Sequence, residues 1–230
     1  KQNCYRLLRL INNMLDMSRI ESGYIKSNMV NCNIVYLIEE ICQSVIPYAD
    51  QKSITLLFDT MEEEIITAVD VDKIERIILN LLSNAIKYTQ PGGKISIIVS
   101  SKMNKVDICV KDTGIGIPKH MQKSVFERYQ QVDSSLTKGI EGCGLGLSIV
   151  KSFVELHDGS IKVKSEPNVG SEFHISLPIT LAETSYNNTS DSAKDNQRRI
   201  IEAINIEFSE IYHIAAENSL HVVNSAAINR

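Results

Sequence analysis

The sequence predicts an α+β fold in which helices cover one face of a mixed sheet, a two-layer α/β sandwich. Three observations lead to this prediction: a long amphipathic helix in the middle of the chain, two antiparallel hairpins of alternating residues, and helical segments placed between pairs of strands. The 230 residues suffice for one such domain with appendages, and 43% of them are hydrophobic, which allows a packed core.

Residues 4–21 are predicted to form a helix with two neighbouring apolar stripes. The stripes consist of Cys4, Leu8, Ile11, Leu15 and Ser18, and of Leu7, Leu10, Met14 and Met17. Such a helix is expected to pack against more than one neighbour, as in a four-helix bundle. Because no second helix accompanies it before Gly23, we expect either that the chain is cut at its N-terminus or that the helix pairs with a second copy.

The next elements follow from caps, alternation and turn residues. Asn33 is expected to cap a helix reaching about Asp50, and Asp70 to open a long helix ending near Tyr88. Alternating residues predict strands at 54–58, 65–69, 94–101, 106–112, 160–165 and 172–177. A further helix is expected at 145–157. Between the strand at 106–112 and that helix we expect a long loop over 113–142, with a short helical piece at 122–130.

The composition changes after Ala182. Residues 184–197 are polar and predict a linker or disordered stretch. Ile200, Ile204, Phe208 and Ile211 then recur at helical spacing. We therefore divide the chain into residues 1–23, 24–182 and 183–230. Three roles remain open for residues 197–230. They could cap the domain, link it to a further module, or not belong to the natural protein.

Charge and composition exclude some function classes. The net charge of -4 argues against a nucleic-acid-binding face, which would need a basic patch. No apolar run approaches the length of a bilayer span, so we expect a soluble piece, with any membrane anchor of its parent protein left open. The five cysteines contain no CxxC pair and their number is odd. Reduced thiols and a cytoplasmic location are the simplest interpretation.

One side of the helix from Asp72 to Tyr88 carries polar residues at steps of three and four, namely Lys73, Arg76, Asn80, Asn84 and Lys87. Carboxamide oxygens suit a hard cation that is already bound to a polyanion, because they add ligand atoms without negative charge. A lysine one turn further on can contact phosphate as a point charge. The alternative is a solvated helix face with no ligand.

Asp112 has the same strand parity as Val106, Ile108 and Val110, so its carboxylate is predicted to face the apolar side where the strand ends. A buried carboxylate needs partners, and the exocyclic amino group of adenine would be one. An Asx turn into Thr113-Gly114 is a compatible alternative. Glycines at 114 and 116 would let the backbone approach a base closely.

Glycines at 142, 144 and 146 precede the helical residues Leu147, Ile149, Val150, Phe153 and Val154, and the free amides of a helix start can bind an anion. Because they accompany Asn84 and Asp112, we assign these glycines to the triphosphate end of one nucleotide-binding pocket. No parallel βαβ unit supports a dinucleotide fingerprint, and no Gly-Lys-Ser/Thr follows as in a Walker loop.

In the preceding loop, Phe126 is expected to be a hydrophobic plug. Arg128 could bind phosphate or a partner, and Lys138 could reach the terminal phosphate.

Taken in order, residues 80–88, 112–116, 126–129 and 142–147 resemble the N, G1, F and G2 boxes of the sensor histidine kinases of two-component signalling. That group lies within the wider family of gyrase B, Hsp90 and MutL. Residues 157–160 and 170–173 match the family's closing segment, and residues 7–23 resemble the second helix of its dimerisation and phosphotransfer hairpin. The resemblance covers about residues 1–180 and implies a Bergerat-type ATP-binding fold after one helix of a four-helix bundle.

The resemblance implies roles for single residues. Asn84 would be the main Mg²⁺ ligand with Asn80 beside it, Lys87 would contact phosphate, and Asp112 would bind the adenine amino group of ATP. Tyr88 would stack near the adenine. The other nucleotide-binding positions would be Gly114, Gly116 and Ile117, and those at the hinge of the ATP lid Gly142, Gly144, Leu145, Gly146 and Leu147.

The resemblance also implies a reaction and partners. The whole protein would transfer the γ-phosphoryl group of Mg-ATP to a histidine and then to an aspartate of a response-regulator receiver domain, and it would dimerise through its N-terminal helix. Two residues depart from the pattern: Cys143 replaces a usual Thr, and Gln131 stands where some members place an arginine near the γ-phosphate. Because Gln131 replaces that arginine, Lys138 or Arg128 would have the catalytic role of contacting the γ-phosphate.

No histidine precedes His120, so the acceptor histidine is expected to be absent and this piece to bind ATP without phosphorylating itself. Two alternatives remain at this point. One is a degenerate ATP-sensing or scaffolding module, which the intact Asn84, Asp112 and glycines argue against. The other is a gyrase- or Hsp90-like ATPase.

Overall fold

A computed structural model of the chain describes residues 2–23, 25–130, 144–183 and 192–209. Five α-helices lie in these ranges: α1 (Gln2–Glu21), α2 (Ile34–Gln51), α3 (Val71–Tyr88), α4 (Gly146–Leu156) and α5 (Ser192–Glu207). The seven strands are β1 (Val30–Asn33), β2 (Thr55–Thr60), β3 (Ile66–Val69), β4 (Lys94–Lys102), β5 (Lys105–Asp112), β6 (Ser160–Glu166) and β7 (Gly170–Pro178). A short 3-10 helix at Ser124–Phe126 lies inside the helical piece expected at 122–130.

The main sheet has five strands in the order β2-β4-β5-β7-β6. β2 runs parallel to β4, and the other neighbouring pairs are antiparallel, which makes the sheet mixed as predicted. α2, α3 and α4 contact β2, β5 and β6 respectively. The prediction of helices and a mixed sheet in an α/β sandwich is therefore confirmed.

Local sequence signals set the starts of α2 and α3. The Asn33 Oδ1 atom accepts a hydrogen bond from the Val35 N–H at 3.1 Å, and the Asp70 Oδ1 atom accepts one from the Lys73 N–H at 3.3 Å. These side chains satisfy amides that have no partner within the first helical turn. Along α3, the predicted apolar stripe is buried: Ile74, Ile77, Ile78, Leu81, Leu82 and Ala85.

The packing of α1 differs from the prediction. Its two apolar stripes are largely exposed in this chain, with Leu7 at 58% and Met14 at 63%, although Met17 is buried. The face that packs on the rest of the protein is polar and carries Arg9, Asn13 and Asp16, all buried. The physical reason is that these side chains meet charged partners from far along the sequence, which the local pattern does not contain.

The C-terminal segment also differs from the prediction. α5 begins at Ser192, so the linker expected over 184–197 is wrong from residue 192 onward. Ile200, Ile204 and Phe208 are buried, and the Phe208 ring lies 4.9 Å from the Tyr48 ring of α2. α5 also contacts α1 and α3, while Ile211 lies outside the described residues.

A small second sheet was not predicted. β1 pairs with β3 antiparallel, with Val30 opposite Val69. The chain leaving β7 closes onto this pair: the Ala68 N–H donates to the Thr180 carbonyl at 2.7 Å. Asn31 then holds the Ala182 backbone twice, its Nδ2 donating to the carbonyl at 3.0 Å and its Oδ1 accepting from the N–H at 2.7 Å.

Candidate functional site

The C-terminal half of α3 forms one wall of the candidate site. Asn80 has no exposed surface, Lys87 is 6% exposed, and Asn84 and Tyr88 are partly buried. The Lys87 Nζ atom lies 5.6 Å from the centre of the Tyr88 ring, a cation–π distance. The alternative of a fully solvated helix face is therefore wrong for this part of α3.

The start of α4 meets α3 at Asn80. A Cβ atom at Gly146 would overlap the Asn80 Oδ1 atom, so any larger residue there would force the Asn80 side chain to move. Asn80 Oδ1 is buried and has no hydrogen-bond partner among the described residues. Leu145 is buried beside it and Leu147 is partly buried, so both predicted lid-hinge residues line this end of α4.

Asp112 lies at the end of β5 on the buried face, as its strand parity predicted. Its Oδ1 atom accepts a hydrogen bond from the Gly114 N–H at 2.8 Å, which is the expected Asx turn. Burial raises the pKa of the Asp112 carboxyl, against a smaller lowering by the backbone N–H groups of Gly114 and Ser171. The turn and the Ser171 N–H orient the carboxylate, whose oxygens can each accept more than one hydrogen bond.

The turn after β5 contacts the end of α3. A Cβ atom on Gly114 would lie 2.6 Å from the Tyr88 carbonyl oxygen, and the Ile115 N–H donates to that same oxygen at 3.2 Å. Gly116 has φ +69°, and a Cβ there would overlap the Glu166 carbonyl. Close approach of the protein's own backbone therefore favours glycine at both positions, whereas the predicted approach to a base stays a prediction.

Three separate stretches of the chain thus converge on α3. Asn80 touches the start of α4, Tyr88 touches the turn after Asp112, and Asn84 lies between them, one helical turn from each. The Gly144 carbonyl accepts a hydrogen bond from the Tyr129 N–H at 2.9 Å, which brings the preceding loop to the same end of α4. The start of α4 and the turn after Asp112 thus lie against the two ends of the same segment of α3, residues 80–88.

The predicted site residues of the loop between β5 and α4 lie in different environments. Phe126 packs edge-on against Phe173, with ring centres 6.3 Å apart, which agrees with its expected role as a plug. Arg128 forms an ion pair with Glu21 of α1, and both side chains are substantially exposed. Such a pair contributes little to stability. Lys138 and Gly142, together with Gln131 and Cys143, lie outside the described residues.

One acidic residue next to the site was missed. The Glu207 Oε1 atom of α5 accepts a hydrogen bond from Asn80 Nδ2 at 3.1 Å, and the Glu207 carbonyl accepts one from Ser83 Oγ at 3.2 Å. The helical spacing of Ile200, Ile204 and Phe208 predicts that this segment packs, but nothing in it identifies α3 as the surface it covers.

His157 supports α3 from its other end. A helix C-terminus such as this one favours a positive charge. Instead, the Nε2 atom accepts from the Asp70 N–H at 3.0 Å, and Nδ1 donates to the Phe153 carbonyl at 2.6 Å. These partners require the neutral ring, and burial lowers the pKa of His157. The residue therefore ties the end of α4 to the N-cap of α3.

None of the helices within the described ranges has both the length and the apolar character that crossing a bilayer requires.

Residues 69–181 match the sequence model of one family, described as histidine kinase-, DNA gyrase B-, and HSP90-like ATPase. The matched segment begins at the end of β3 and contains α3, the turn after β5 and α4, which are the elements that build the site.

Curated relatives agree with this match. The chain is 39% identical over 184 residues to hybrid signal transduction histidine kinase D of Dictyostelium discoideum, covering 78% of this chain and 12% of the relative. It is 38% identical over 202 residues to sensor histidine kinase TmoS of Ectopseudomonas mendocina, covering 87% of this chain and 21% of the relative. The chain therefore spans about an eighth to a fifth of these proteins.

Solved structures show the same fold. The catalytic domain of histidine kinase ThkA superposes with a TM-score of 0.59 at 28% identity, covering 66% of this chain and 97% of that domain. Full-length ShkA, solved in complex with AMPPNP, gives a TM-score of 0.69 at 24% identity over 86% of this chain and 44% of its own. The chain accordingly belongs to the histidine kinase-, DNA gyrase B- and HSP90-like ATPase family, and it carries an ATP-binding domain of the histidine kinase type.

Proposed function

We propose that this chain is the ATP-binding catalytic part of a two-component sensor histidine kinase. The whole protein would transfer the γ-phosphoryl group of Mg-ATP to a histidine nitrogen and then to an aspartate of a response regulator. The observation that carries this proposal is the convergence of Asn80, Asp112 and Gly146 around α3. Phosphoryl transfer depends mainly on positioning and charge stabilisation, which such a site can supply.

The carboxamides of α3 fit a magnesium ion. Asn80 Oδ1 is a buried oxygen without a hydrogen-bond partner among the described residues, and Asn84 lies one turn away. In the described part of the chain, no group of three or more His, Cys, Asp or Glu residues could hold a metal ion alone. Two neutral oxygens suit a cation that arrives with phosphate, where bound Mg²⁺ would neutralise charge on the terminal phosphates.

The two ends of the pocket have different chemistry. Asp112 would accept a hydrogen bond from the exocyclic amino group of adenine, with its carboxylate held by the Gly114 N–H. Tyr88 would lie against the base. At the other end Lys87 would contact phosphate, and the amides at the start of α4 would donate to it. The remaining residues proposed to hold nucleotide or act on phosphate are Gly116, Ile117, Gly142, Gly144, Leu145, Leu147, Arg128 and Lys138.

We further propose that residues 1–23 are the second helix of a dimerisation hairpin, followed by the ATP-binding domain at 24–182. The exposed apolar positions of α1 support pairing with a second copy: Leu7, Leu8, Leu10, Ile11, Met14 and Leu15. A continuous apolar stripe on a helix is expected to be covered in the assembled protein. The domain would act in the cytoplasm.

The proposed second partner is the receiver domain of a response regulator. Among the solved neighbours, histidine kinase ThkA has been crystallised in complex with the response regulator protein TrrA, at 24% identity to this chain and a TM-score of 0.60. That complex concerns ThkA itself, and for this chain it supports only the proposal that such a partner exists.

Equilibrium binding of ATP with and without Mg²⁺ tests the nucleotide site. Asn84→Ala should abolish the magnesium-dependent part of binding, and Asp112→Asn should weaken the preference for ATP over GTP. Asn3→Ala and Asp59→Asn are matched controls because both residues are exposed and distant in sequence from the site. If Asp112→Asn bound ATP as tightly as the parent protein, the assignment of Asp112 to adenine would be wrong.

Phosphoryl transfer needs a separate assay. With labelled ATP, the chain alone should take up no acid-labile label, and it should label a separately supplied helical hairpin that carries an acceptor histidine. Steady release of phosphate without any phosphoprotein would favour a gyrase- or Hsp90-like ATPase. Acid-labile label on the chain itself would contradict the proposal that the acceptor lies elsewhere.

A further inference from the structure

We propose that α5 is an inhibitory latch on the nucleotide site, in which Glu207 holds Asn80 in a closed state that Mg-ATP must open. This inference rests on the proposed function, because it assigns regulation to the same site. It concerns a segment that lies beyond the matched family region at 69–181.

Glu207 connects three helices. Its side chain is nearly buried, with 4% of the residue exposed. The Oε2 atom forms an ion pair with Arg9 Nε of α1 at 2.8 Å, and the Oε1 atom accepts from Asn80 Nδ2 of α3 at 3.1 Å. Ser83 adds a hydrogen bond to the Glu207 carbonyl at 3.2 Å. The end of α5 is thus tied to α1 and α3 together.

The docked α5 holds the side chain of the proposed metal ligand, because Glu207 accepts from Asn80 Nδ2 while Asn80 Oδ1 lies against Gly146 of α4. Asn80 has no exposed surface, so a cation entering from solvent cannot reach its carboxamide while the surrounding helices keep these positions. Because a carboxylate only accepts hydrogen bonds, the contact with Glu207 fixes the Asn80 amide nitrogen toward α5. It also places a carboxylate within hydrogen-bond distance of Asn80, with Arg9 as its ion-pair partner.

Apolar contacts hold the latch closed. Ile200, Ile204 and Phe208 are each no more than 4% exposed, and the Phe208 ring packs against Tyr48 of α2. Burial of such side chains drives docking without depending on nucleotide. The polar contacts of Glu207 then decide where the helix end lies, because an ion pair and hydrogen bonds are directional.

This arrangement couples nucleotide binding to the release of α5. When only a fraction of the protein is competent to bind, the apparent dissociation constant is the intrinsic one divided by that fraction. Weakening the latch should therefore tighten binding of Mg-ATP. By reciprocity, Mg-ATP should favour the undocked state of α5 by the same factor. Since Arg9 belongs to α1, opening would also remove one contact between α1 and the rest of the protein.

The test compares apparent affinities for ATP at saturating Mg²⁺ in the full chain. Glu207→Gln removes the negative charge and the ion pair, and Glu202→Gln is the matched control because Glu202 is exposed on the same helix. Glu207→Gln should bind ATP about five- to tenfold more tightly than the parent, and Glu202→Gln should bind like the parent. Ser83→Ala, which keeps the charge of Glu207, should shift affinity in the same direction, so the test survives if Glu207→Gln fails to fold.

Backbone hydrogen exchange gives a second readout. Amides at 200–209 should exchange faster when Mg-ATP is added to the parent protein, whereas a purely structural helix would exchange at an unchanged rate. Equal affinities in parent and variants would overturn the latch and leave the proposed function intact. Weaker binding by Glu207→Gln would also overturn it, because Glu207 would then assist binding. If neither the parent nor any variant bound ATP, the proposed function itself would fail.

Discussion

Replacing His157 with alanine should destabilise the protein by a predictable amount. The substitution removes hydrogen bonds to the Asp70 N–H at 3.0 Å and the Phe153 carbonyl at 2.6 Å. An ordinary hydrogen bond contributes about 1 kcal/mol, and leaving a buried N–H without a partner costs about 1–3 kcal/mol. Together these give a loss of about 3 kcal/mol at pH 8. For a chain of this size that corresponds to a fall in melting temperature of roughly 6–12 °C.

The effect should depend on pH in a defined direction. Burial lowers the pKa of His157 below its ordinary value of 6.5, opposed by its hydrogen bond to Phe153 and by the carboxylates of Asp70 and Asp158. Lys73 acts in the same direction as burial. The unfolded chain therefore binds a proton before the folded protein does. Stability from neutral His157 is complete above about pH 6.5 and is lost as the pH falls toward the lowered pKa.

Urea unfolding at pH 8 and at pH 5.5 would measure this difference. The gap in unfolding free energy between the parent protein and His157→Ala should be wide at pH 8 and narrower at pH 5.5. His120→Ala is the control, because His120 is exposed and should leave both values unchanged. A gap of equal size at the two pH values would refute the reasoning that His157 must stay neutral in the folded protein.

Three further predictions concern the turn after β5 and the docking of α1. Gly116→Ala should cost about 2–3 kcal/mol in urea unfolding, because φ is +69° and a Cβ would overlap the Glu166 carbonyl. Asp16→Ala removes the buried partner of Arg76 and should cost about 1–3 kcal/mol, with faster proteolysis of α1 as the second measurement. Affinity for ATP should fall as the pH drops through the raised pKa of Asp112, because the ionised carboxylate accepts a stronger hydrogen bond from the adenine amino group than the protonated carboxyl does.

A specific experimental result would contradict each of these three predictions. An alanine at 116 that left the unfolding midpoint unchanged would show that the turn can shift at no cost. Equal proteolysis of α1 in Asp16→Ala and the parent would show that the apolar Met17 contact is sufficient to dock the helix. For the pH dependence, Asp112→Asn should lack the acid loss, and the same loss in that variant would point to another titrating group.

The parts of the fold that the sequence predicted are those specified by neighbouring residues. The Asn33 and Asp70 caps lie within three residues of the amides that they bind, and the alternation of β5 places Asp112 on its buried face without any knowledge of distant segments. Glycines at 114 and 116 marked a place of close approach, but the sequence assigned it to a base, and the structure shows the carbonyls of Tyr88 and Glu166 there.

The missed features all depend on contacts across long stretches of chain. β1 is four residues long and has a polar sequence, so its pairing with β3 has no local signal. The buried face of α1 is polar because Asp16 meets Arg76, sixty residues away. Glu207 reaches Asn80 from 127 residues further on. The periodicity of these segments could not indicate the partners, because it shows which face of a helix or strand is buried but not which part of the chain packs against that face.

The double hydrogen bond between Asn31 and the Ala182 backbone has a practical consequence for anyone dividing this protein into shorter pieces. A piece trimmed to the family match would end at residue 181 and begin at residue 69, so it would lose both halves of this clasp together with β1 and α2. The same cut would remove β2 and nearly all of β3, so β4 would present an unpaired edge, which invites association between molecules. Cutting before residue 30 and after residue 183 would keep that edge covered.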